Sequence, residues 1–461
     1  MFPHIRKYDH DYSRRMFLEK TAAGIGSAGV LTNLWSTLAE AGSMDKAYPE
    51  ELLSIEAYTK GKIKVGDWIS ADNVDVVQDL IDPALYTEVK QQGRKFFIQE
   101  TTTNVEEMFP YDYLQATLKH QDLGAFDPKG NVMMKDGALW AGGLPFPDPK
   151  TGNEVIANMT LSWGRHDQSL YGIDVTCLSA VGHADYKYTF ARAEQQITGR
   201  VSDPEGPYMK GHEGVGRYQC SWFTSPADFK GTAFNEVWSY DQAAFPELFG
   251  YLPAFKRVRR FPTNQRFEPL VPGMNFYLSD AWASGDPYLT WGNYKIVGRQ
   301  PFLGSSQGGW MGDNPNWHPE LHGGATGNTF WTIGKQLIPE VLIVEAEPLG
   351  FPRAPYSKKR IYVDPRNSIF PTFLTFDRRG EIFKAGEPGF GQYKTANNVK
   401  MDKDKPGWSW TWYHSHNMQD NTMTRFCQSE EIQGGIRSTY DMGPEMYGLY
   451  MTQAAIRRLG T

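Results

Sequence analysis

The sequence predicts an α+β fold in which helices pack on one curved antiparallel β-sheet. Between about residues 70 and 165, apolar residues recur at the helical spacing of three and four. From about residue 170 to 430, short apolar runs alternate with Gly, Pro, Asn and Asp, which is typical of antiparallel strands. The chain shows no solenoid-length repeat and no long linker, so we expect residues 42–461 to form one domain with a C-terminal tail.

The composition is that of a globular chain with a high share of aromatic residues. Hydrophobic residues make up 40% of the 461 residues and charged residues 22%, which is enough for a sizeable core. The net charge of -6 argues against a nucleic-acid partner, because such proteins present a basic face. Aromatic residues reach 14%, so strands or a large apolar cavity must accommodate them.

The N-terminus resembles a twin-arginine export signal. Arg14 and Arg15 are followed by two apolar residues and a Lys, then by a weakly apolar stretch too rich in Gly, Ser and Thr to span a membrane. Ala39 and Ala41 form a small-x-small cleavage site, so residues 1–41 are predicted to be removed. We therefore expect folded export through the Tat translocase and a soluble periplasmic protein. It is not predicted to be a lipoprotein, because the first cysteine is Cys177.

Capping residues and apolar spacing predict four helices. The second helix runs from Pro83 to a stop at Gly93, a third covers about 113–119, and a fourth starts at Asn153. Residues 142–149 are too rich in Gly and Pro for either helix or central strand and are predicted to form an ordered loop. Asp72 can cap the first helix, whose apolar stripe consists of Val74, Val77, Leu80 and Ile81.

Late strands carry the candidate ligand site. A meander is predicted over residues 341–346, 360–363, 369–376 and 381–384, with Asp at the start of both later turns. In the strand 408–416, period-two alternation predicts that three Trp and two His share one face. That stripe is either the wall of an apolar cavity or ordinary core beneath helices. The candidate cavity residues are Trp408, Trp410, Trp412, Phe373 and Tyr362.

Five segments of the chain together carry a resemblance to a known family, and they are residues 142–149, 256–262, 285–299, 344–384 and 451–460. In this order they resemble the bacterial family catalogued as domain of unknown function 1329, whose members are exported proteins with a LolA-like, outer-membrane lipoprotein-sorting-type fold. Residues 177–249 and 305–331 match the family pattern poorly, and its members usually carry an ordinary secretory signal.

This resemblance implies an unclosed antiparallel half-barrel, with helices on its concave face, that holds acyl chains or another hydrophobic molecule. Members tend to be encoded beside exporters of the resistance-nodulation-division (RND) type. The resemblance therefore implies an RND-type transporter and outer-membrane proteins as partners in a periplasmic relay. The family has no established catalytic residues, so none can be assigned here.

Two His pairs are the candidate metal ligands. His414 and His416 occupy alternate strand positions and can point the same way. Pro319 breaks any helix that would align His318 with His322, so that pair is not a zincin-type motif. We expect no cofactor, and these histidines can equally be polar groups near a cavity mouth. A transition metal bound by them is the alternative.

A basic cluster and three cysteines complete the candidates. The cluster can meet phosphate headgroups or an acidic partner, or can protect a solvated strand edge from aggregation. Cys177, Cys220 and Cys427 contain no C-x-x-C spacing, which argues against a thiolate metal site. One disulfide or buried free thiols are both compatible with the sequence. The basic residues are Lys256, Arg257, Arg259 and Arg260.

Together these patterns favour a periplasmic carrier for a lipid or other hydrophobic molecule rather than an enzyme. The alternative is a metal- or cofactor-dependent periplasmic enzyme, since many twin-arginine substrates load a cofactor before export. An envelope scaffold with an exposed apolar patch is a third possibility.

Overall fold

The computed structural model describes Trp35 and residues 47–460, except Asn264, Asp441 and Pro444. The predicted signal residues Arg14, Arg15, Ala39 and Ala41 lie outside the described residues. The export signal and its cleavage therefore stay predictions.

Within this part of the chain, strands occur at intervals between residue 68 and residue 437. The strands are β1 Trp68–Ile69, β2 Phe96–Gln99, β3 Gly124–Phe126, β4 Val132–Met134, β5 Gln168–Leu178, β6 Ala184–Gln196, β7 Val215–Ser225, β8 Ala233–Ser239, β9 Glu247–Leu252, β10 Arg257–Phe261, β11 Gly292–Gly304, β12 Leu321–His322, β13 Phe330–Trp331, β14 Gly334–Glu347, β15 Tyr356–Asp364, β16 Ile369–Asp377, β17 Ile382–Gln392, β18 Met401–Asp402, β19 Lys405–Pro406, β20 Trp408–Asn417, β21 Met423–Ser429, β22 Glu431–Ile432 and β23 Ile436–Arg437.

Fifteen of these strands form one large unclosed sheet. Its order is β1-β2-β14-β15-β16-β17-β20-β21-β5-β6-β7-β8-β9-β10, and β11 pairs with β14 off this path. Strands β14 and β2 pair in parallel, whereas the other pairs of this sheet are antiparallel. The α+β prediction is confirmed. The sheet is mixed, however, because the β2 segment adds to the edge of β14 in the same direction.

The α-helices lie before β5 or after β23, and four of the 3-10 helices lie between β9 and β12. Each is short, and several are 3-10 turns. The α-helices are Glu50–Leu53, Ile55–Tyr58, Pro83–Gln92, Tyr111–Lys119, Gly152–Thr160, Met446–Tyr450 and Gln453–Leu459, and the 3-10 helices are Val74–Leu80, Val105–Met108, Pro253–Phe255, Leu278–Ala283, Tyr288–Thr290 and Pro315–Trp317.

The helix Pro83–Gln92 begins and ends as its sequence predicts. The Asp82 carboxylate accepts hydrogen bonds from two N–H groups of the first turn, and Gly93 ends the helix at a φ of 71°. The preceding element differs from the prediction. Val74–Leu80 is a 3-10 helix, and its N-cap is Asn73 rather than Asp72. The buried Val74, Val77 and Leu80 recur every three residues, which suits the three-residue turn of a 3-10 helix.

The predicted meander is confirmed as β14 to β17. Its first predicted turn starts at Asp364, whose carbonyl oxygen accepts the Ser368 N–H at 2.7 Å. The second starts at Asp377, whose carbonyl oxygen accepts the Gly380 N–H at 3.0 Å. Both Asp side chains also accept backbone N–H groups within their turns, which explains why Asp opens each of them.

A β-bulge in β20 corrects the predicted face of the Trp stripe. In the pairing with β17, Phe390 lies opposite Trp410 but Gly389 lies opposite Trp412, so Thr411 is the extra residue. Trp408 and Trp410 share a hydrophobic cluster with Tyr413. Trp412 instead packs in a second cluster. The prediction that three Trp and two His share one face is therefore wrong, because the bulge reverses the alternation.

Helices cover both faces of the sheet, not only the concave one. The helix Gly152–Thr160 packs in the same hydrophobic cluster as Trp410. This cluster lies on the concave face, which is formed by β16, β17, β20, β21 and β5 to β9. Pro83–Gln92 packs with Trp412 in the second cluster, and the two C-terminal helices pack against Trp222 on β7 in a third. Strand β20 is buried along its whole length, so both of its faces require a cover.

Beneath the helix Pro83–Gln92 lies a buried cluster of charged side chains, which we call the Arg94 cluster. Arg94 donates to Glu88 of the helix and, at 2.6 Å, to Glu387 of β17. Lys335 of β14 donates to the same Glu387 carboxylate, and His416 Nδ1 of β20 lies 2.6 Å from Glu88. Two cations and two carboxylates thus neutralise each other out of contact with water.

This cluster sets the pKa values of its members. Although burial opposes their ionisation, Arg94 holds the pKa of Glu88 well below its usual value and, with Lys335, lowers the pKa of Glu387 to about 2. Burial first, and then the positive charge of Arg94, lowers the pKa of His414 to about 3. Burial also raises the pKa of Asp82 to about 6. His414 is thus neutral at physiological pH.

The first prediction concerns the pH dependence of stability. Unfolded His414 binds a proton below pH 6.5, whereas the folded protein does not until about pH 3. His414 therefore lowers the free energy of unfolding by up to about 1.4 kcal/mol per pH unit as pH falls through that window. Asp82 acts in the opposite direction between pH 3.8 and about 6, so the wild-type slope alone is not diagnostic.

The measurement is chemical denaturation of wild type and His414→Gln between pH 6 and pH 4. We expect the stability of the variant to fall less steeply with acidification than that of the wild type. His183→Gln, which changes an exposed histidine, is the matched control and should keep the wild-type slope. Parallel slopes for wild type and His414→Gln would contradict the assignment of this proton to His414.

Candidate functional site

A large cavity lies on the concave face of the sheet, between β16, β17, β20 and β21 on one side and β5 to β9 on the other. It contains about 1310 Å³ of unfilled space, including its open mouth. Aromatic residues line most of it: Trp163, Phe190, Phe223, Phe234, Phe276, Trp282, Phe370, Trp410, Trp412, Tyr413 and Phe426.

Residues 266–282 cross this face and form what we call the roof. Met274, Phe276 and Trp282 of the roof point into the cavity lining. The Asn275 amide donates to the carbonyl oxygens of Ser415 and Thr422, at 3.1 and 2.8 Å. The roof is therefore fixed to the end of β20 and to the turn that follows it.

Two buried ion pairs also anchor the roof. Lys384 of β17 lies 2.9 Å from the Asp280 carboxylate, and Arg266 donates to Asp286 at 2.6 Å. Burial lowers the pKa of Lys384 to about 8, although Asp280 favours its charged form. The Tyr356 hydroxyl donates to the other Asp280 oxygen at 2.8 Å, which ties the roof to β15 as well.

One end of the cavity is polar. Arg192 of β6 donates to Glu194 at 2.7 Å and also to the Ser221 hydroxyl of β7, at 3.4 Å. Glu236 of β8 accepts the Trp238 indole N–H at 2.9 Å. All of these side chains except Trp238 line the cavity, together with Arg266 of the roof. The cavity is thus amphiphilic, with an aromatic body and a small charged end.

The predicted cavity residues are placed in three different ways. Trp410 and Trp412 border the cavity, Trp412 beside the bulge. Trp408 and Phe373 belong to the hydrophobic cluster around it without being among the lining side chains. Tyr362 packs in a separate cluster with Phe302, on the other side of the sheet. Their roles in ligand binding stay predictions.

Sequence reasoning missed the contribution of β6 to β9. In β6, Phe190, Arg192 and Glu194 face the cavity, while Ala191 and Ala193 face the C-terminal helices. This alternation of large and small residues is visible in the sequence and could have identified the face. It lies within residues 177–249, where the family resemblance is poor.

His414 and His416 lie together, but their surroundings do not suit a transition metal. His416 is held by Glu88 at one nitrogen and lies 3.1 Å from the Asn421 oxygen at the other. His414 lies 3.7 Å from Glu387, in a cluster that already contains the two cations Arg94 and Lys335. Both nitrogens of His416 thus already have polar partners, and nearby positive charge disfavours a bound cation.

His318 and His322 occupy separate sites. His318 Nε2 lies 2.9 Å from the Ser429 hydroxyl and 3.2 Å from Asp174. His322 Nε2 accepts the backbone N–H of Lys95 at 2.9 Å, and burial lowers the pKa of His322 to about 4. Among the residues that the structure describes, no three His, Cys, Asp or Glu side chains form a group that could hold a metal ion.

All three cysteines are free thiols in the interior. Burial raises the pKa of the Cys177 thiol to about 11 and raises those of Cys220 and Cys427 further. The thiolate form is therefore scarce at neutral pH. Of the two alternatives left open by the sequence, the structure has the free thiols.

The basic cluster lies on β10 and the turn before it, at the free edge of the large sheet. Lys256, Arg257, Arg259 and Arg260 are all exposed. Arg259 stacks over the exposed Phe255 ring at 4.2 Å, and Arg260 pairs with Glu247 at 2.6 Å. Its placement fits both edge protection and contact with an anionic surface.

In the described ranges, no helix has both the length and the apolar character needed to span a membrane.

Comparison with known proteins identifies the family. The model of a family described as protein of unknown function (DUF1329) matches residues 68–457. No curated protein matches the chain.

Three solved structures are similar in part. A DUF1329 family protein from Desulfovibrio piger is 14% identical, with a TM-score of 0.42, and the match covers 66% of this chain and 97% of that one. A LolA superfamily protein from Nitrosomonas europaea is 9% identical, with a TM-score of 0.37, and the match covers 66% of this chain and 100% of that one. A domain from Vibrio parahaemolyticus, provisionally described as an outer membrane lipoprotein-sorting protein, is 16% identical, with a TM-score of 0.40. That match covers 64% of this chain and 93% of that one. Since the family model spans most of the sequence, the chain belongs to the DUF1329 family of proteins of unknown function.

Proposed function

We propose that this protein is a periplasmic carrier that holds a lipid or other hydrophobic molecule in the cavity beneath the roof. The observation that carries the proposal is the aromatic lining of a cavity with an open mouth. Each methylene group of a ligand that leaves water for such a site gains about 0.8 kcal/mol. The family resemblance of the sequence implies the same role. Exchange with an RND-type envelope transporter after twin-arginine export is the further part of this proposal.

A metal-dependent enzyme is less well supported, because its candidate ligands serve other purposes. His414 and His416 belong to the Arg94 cluster, and His318 contacts Ser429 and Asp174 at a distance from it in the fold. The cavity that could bind a substrate is lined by neither pair.

The second prediction tests the cavity with the neutral fluorescent probe Nile red. Ala281 of the roof lines the cavity, so Ala281→Trp would place an indole in its unfilled space. We expect wild type to enhance and blue-shift the fluorescence of the probe, and Ala281→Trp to weaken its binding by at least about tenfold, a loss of about 1.4 kcal/mol.

The control is Ala254→Trp, which adds the same side chain at an exposed position outside the cavity. It should bind the probe as the wild type does. Circular dichroism of all three proteins shows whether they are folded. Probe binding that is unchanged in folded Ala281→Trp would exclude this cavity as the ligand site.

The third prediction assigns the basic edge to an anionic lipid surface, where the carrier would meet its donor or acceptor membrane. Leu270 is exposed and lines the cavity mouth, and Leu248 of the lining pairs with Phe261 of β10. The basic edge strand β10 is therefore the direct neighbour of β9, a strand that lines the cavity. Lys and Arg near an anionic bilayer contribute about 1 kcal/mol each.

Vesicle flotation measures this contact. We expect binding to vesicles that contain phosphatidylglycerol, weak binding to phosphatidylcholine vesicles, and loss of the difference in Arg257→Glu/Arg259→Glu. Lys60→Glu/Lys62→Glu makes the same charge change at an exposed site elsewhere and should retain the wild-type behaviour. Equal flotation of both double variants would favour edge protection or an acidic protein partner instead.

A further inference from the structure

The polar end of the cavity has no net charge. Two arginines, Arg192 and Arg266, and two carboxylates, Glu194 and Glu236, line it. Arg217 and Asp286 lie beside these groups and are not part of the lining. An anionic ligand group would leave water without a net positive potential to receive it. Removing a charge from water without a partner is costly, whereas a hydroxyl loses far less.

The two arginines that line the cavity are already engaged. Arg192 donates to Glu194 and Ser221, and Arg266 donates to Asp286 and to the Gly285 carbonyl oxygen. A ligand carboxylate or phosphate would have to share these arginines with the protein carboxylates that already neutralise their charge.

Arg217 does not line the cavity. Its guanidinium stacks between the rings of Trp163 and Trp238, at 4.0 and 4.2 Å, and donates to the Thr160 carbonyl oxygen at 2.6 Å. Trp163 is the ring that faces the cavity. The free N–H groups of Arg217 are thus kept behind an indole and are not presented to a ligand.

The two carboxylates at this end offer hydrogen-bond acceptors to a ligand. Glu236 accepts one indole N–H through Oε2, and Glu194 accepts from Arg192 and Gln219 through Oε1. Each carboxylate has more acceptor capacity than these bonds use. A hydroxyl group can donate to them, while a second anion would be repelled by them in apolar surroundings.

We propose that the cavity selects a hydrophobic molecule whose polar end is an uncharged, hydroxyl-bearing group, in preference to one that ends in a carboxylate or phosphate. The hydroxyl donates to Glu236 or Glu194, and the apolar body lies along Phe223, Phe426 and Trp410. This inference rests on the proposed carrier function and adds the chemical class of its ligand.

The test is displacement of Nile red at neutral pH by dodecanol and by dodecanoate, which share an alkyl chain and differ in the polar end. We expect dodecanol to displace the probe at a concentration at least about tenfold lower than dodecanoate. Glu236→Gln removes one carboxylate without a change of shape. It should improve displacement by dodecanoate several-fold and change that by dodecanol little.

Glu205→Gln is the matched control, since Glu205 is exposed and outside the cavity, and it should keep the wild-type preference. Equal displacement by both ligands, a preference for dodecanoate, or a wild-type preference in Glu236→Gln overturns the inference while the carrier function stands. If Nile red binds but neither ligand displaces it, the inference is overturned as well. If Nile red itself does not bind, the proposed function fails and this inference falls with it.

Discussion

The placement of the helix Pro83–Gln92 depends on one buried guanidinium, that of Arg94. It connects a helix to the central strands, and its charge is neutralised by carboxylates from both. Loss of one partner of such a buried group typically costs about 3–5 kcal/mol, because a charge is left without compensation. The cluster therefore fixes the helix Pro83–Gln92 on the outer face of β17 and β20. With that face covered, the inner face of the same strands is left to line a cavity.

Strand β20 serves both faces because of its bulge. The two Trp residues before Thr411 belong to the cavity side, and the two histidines after it belong to the Arg94 cluster. A regular strand would place all of them together and would bring charged groups to the aromatic wall. One inserted residue thus separates an apolar site from an ionic one within ten residues of chain.

Much of the fold could be predicted from local signals. The helix Pro83–Gln92 is encoded by its own cap and stop residues, and the β14–β17 meander by the Asp residues of its turns. The bulge could not be predicted, since it depends on how β17 pairs with β20 across a long loop. The polar end of the cavity was missed for a related reason: Arg192, Ser221 and Glu236 meet only through the pairing of three strands. The parallel β2–β14 pair likewise joins segments more than two hundred residues apart.

The ionic anchors of the roof affect how a ligand would enter and leave. Lifting a purely apolar cover exposes hydrophobic surface to water, which costs about 25 cal/mol of free energy per Å². If the roof were lifted, Lys384 and Asp280 would separate, but both would regain the hydration that burial denies them. Solvation of the parted charges offsets part of the lost attraction. In the proposed carrier, hydration of these two side chains would thus lower the cost of lifting the roof to release a ligand.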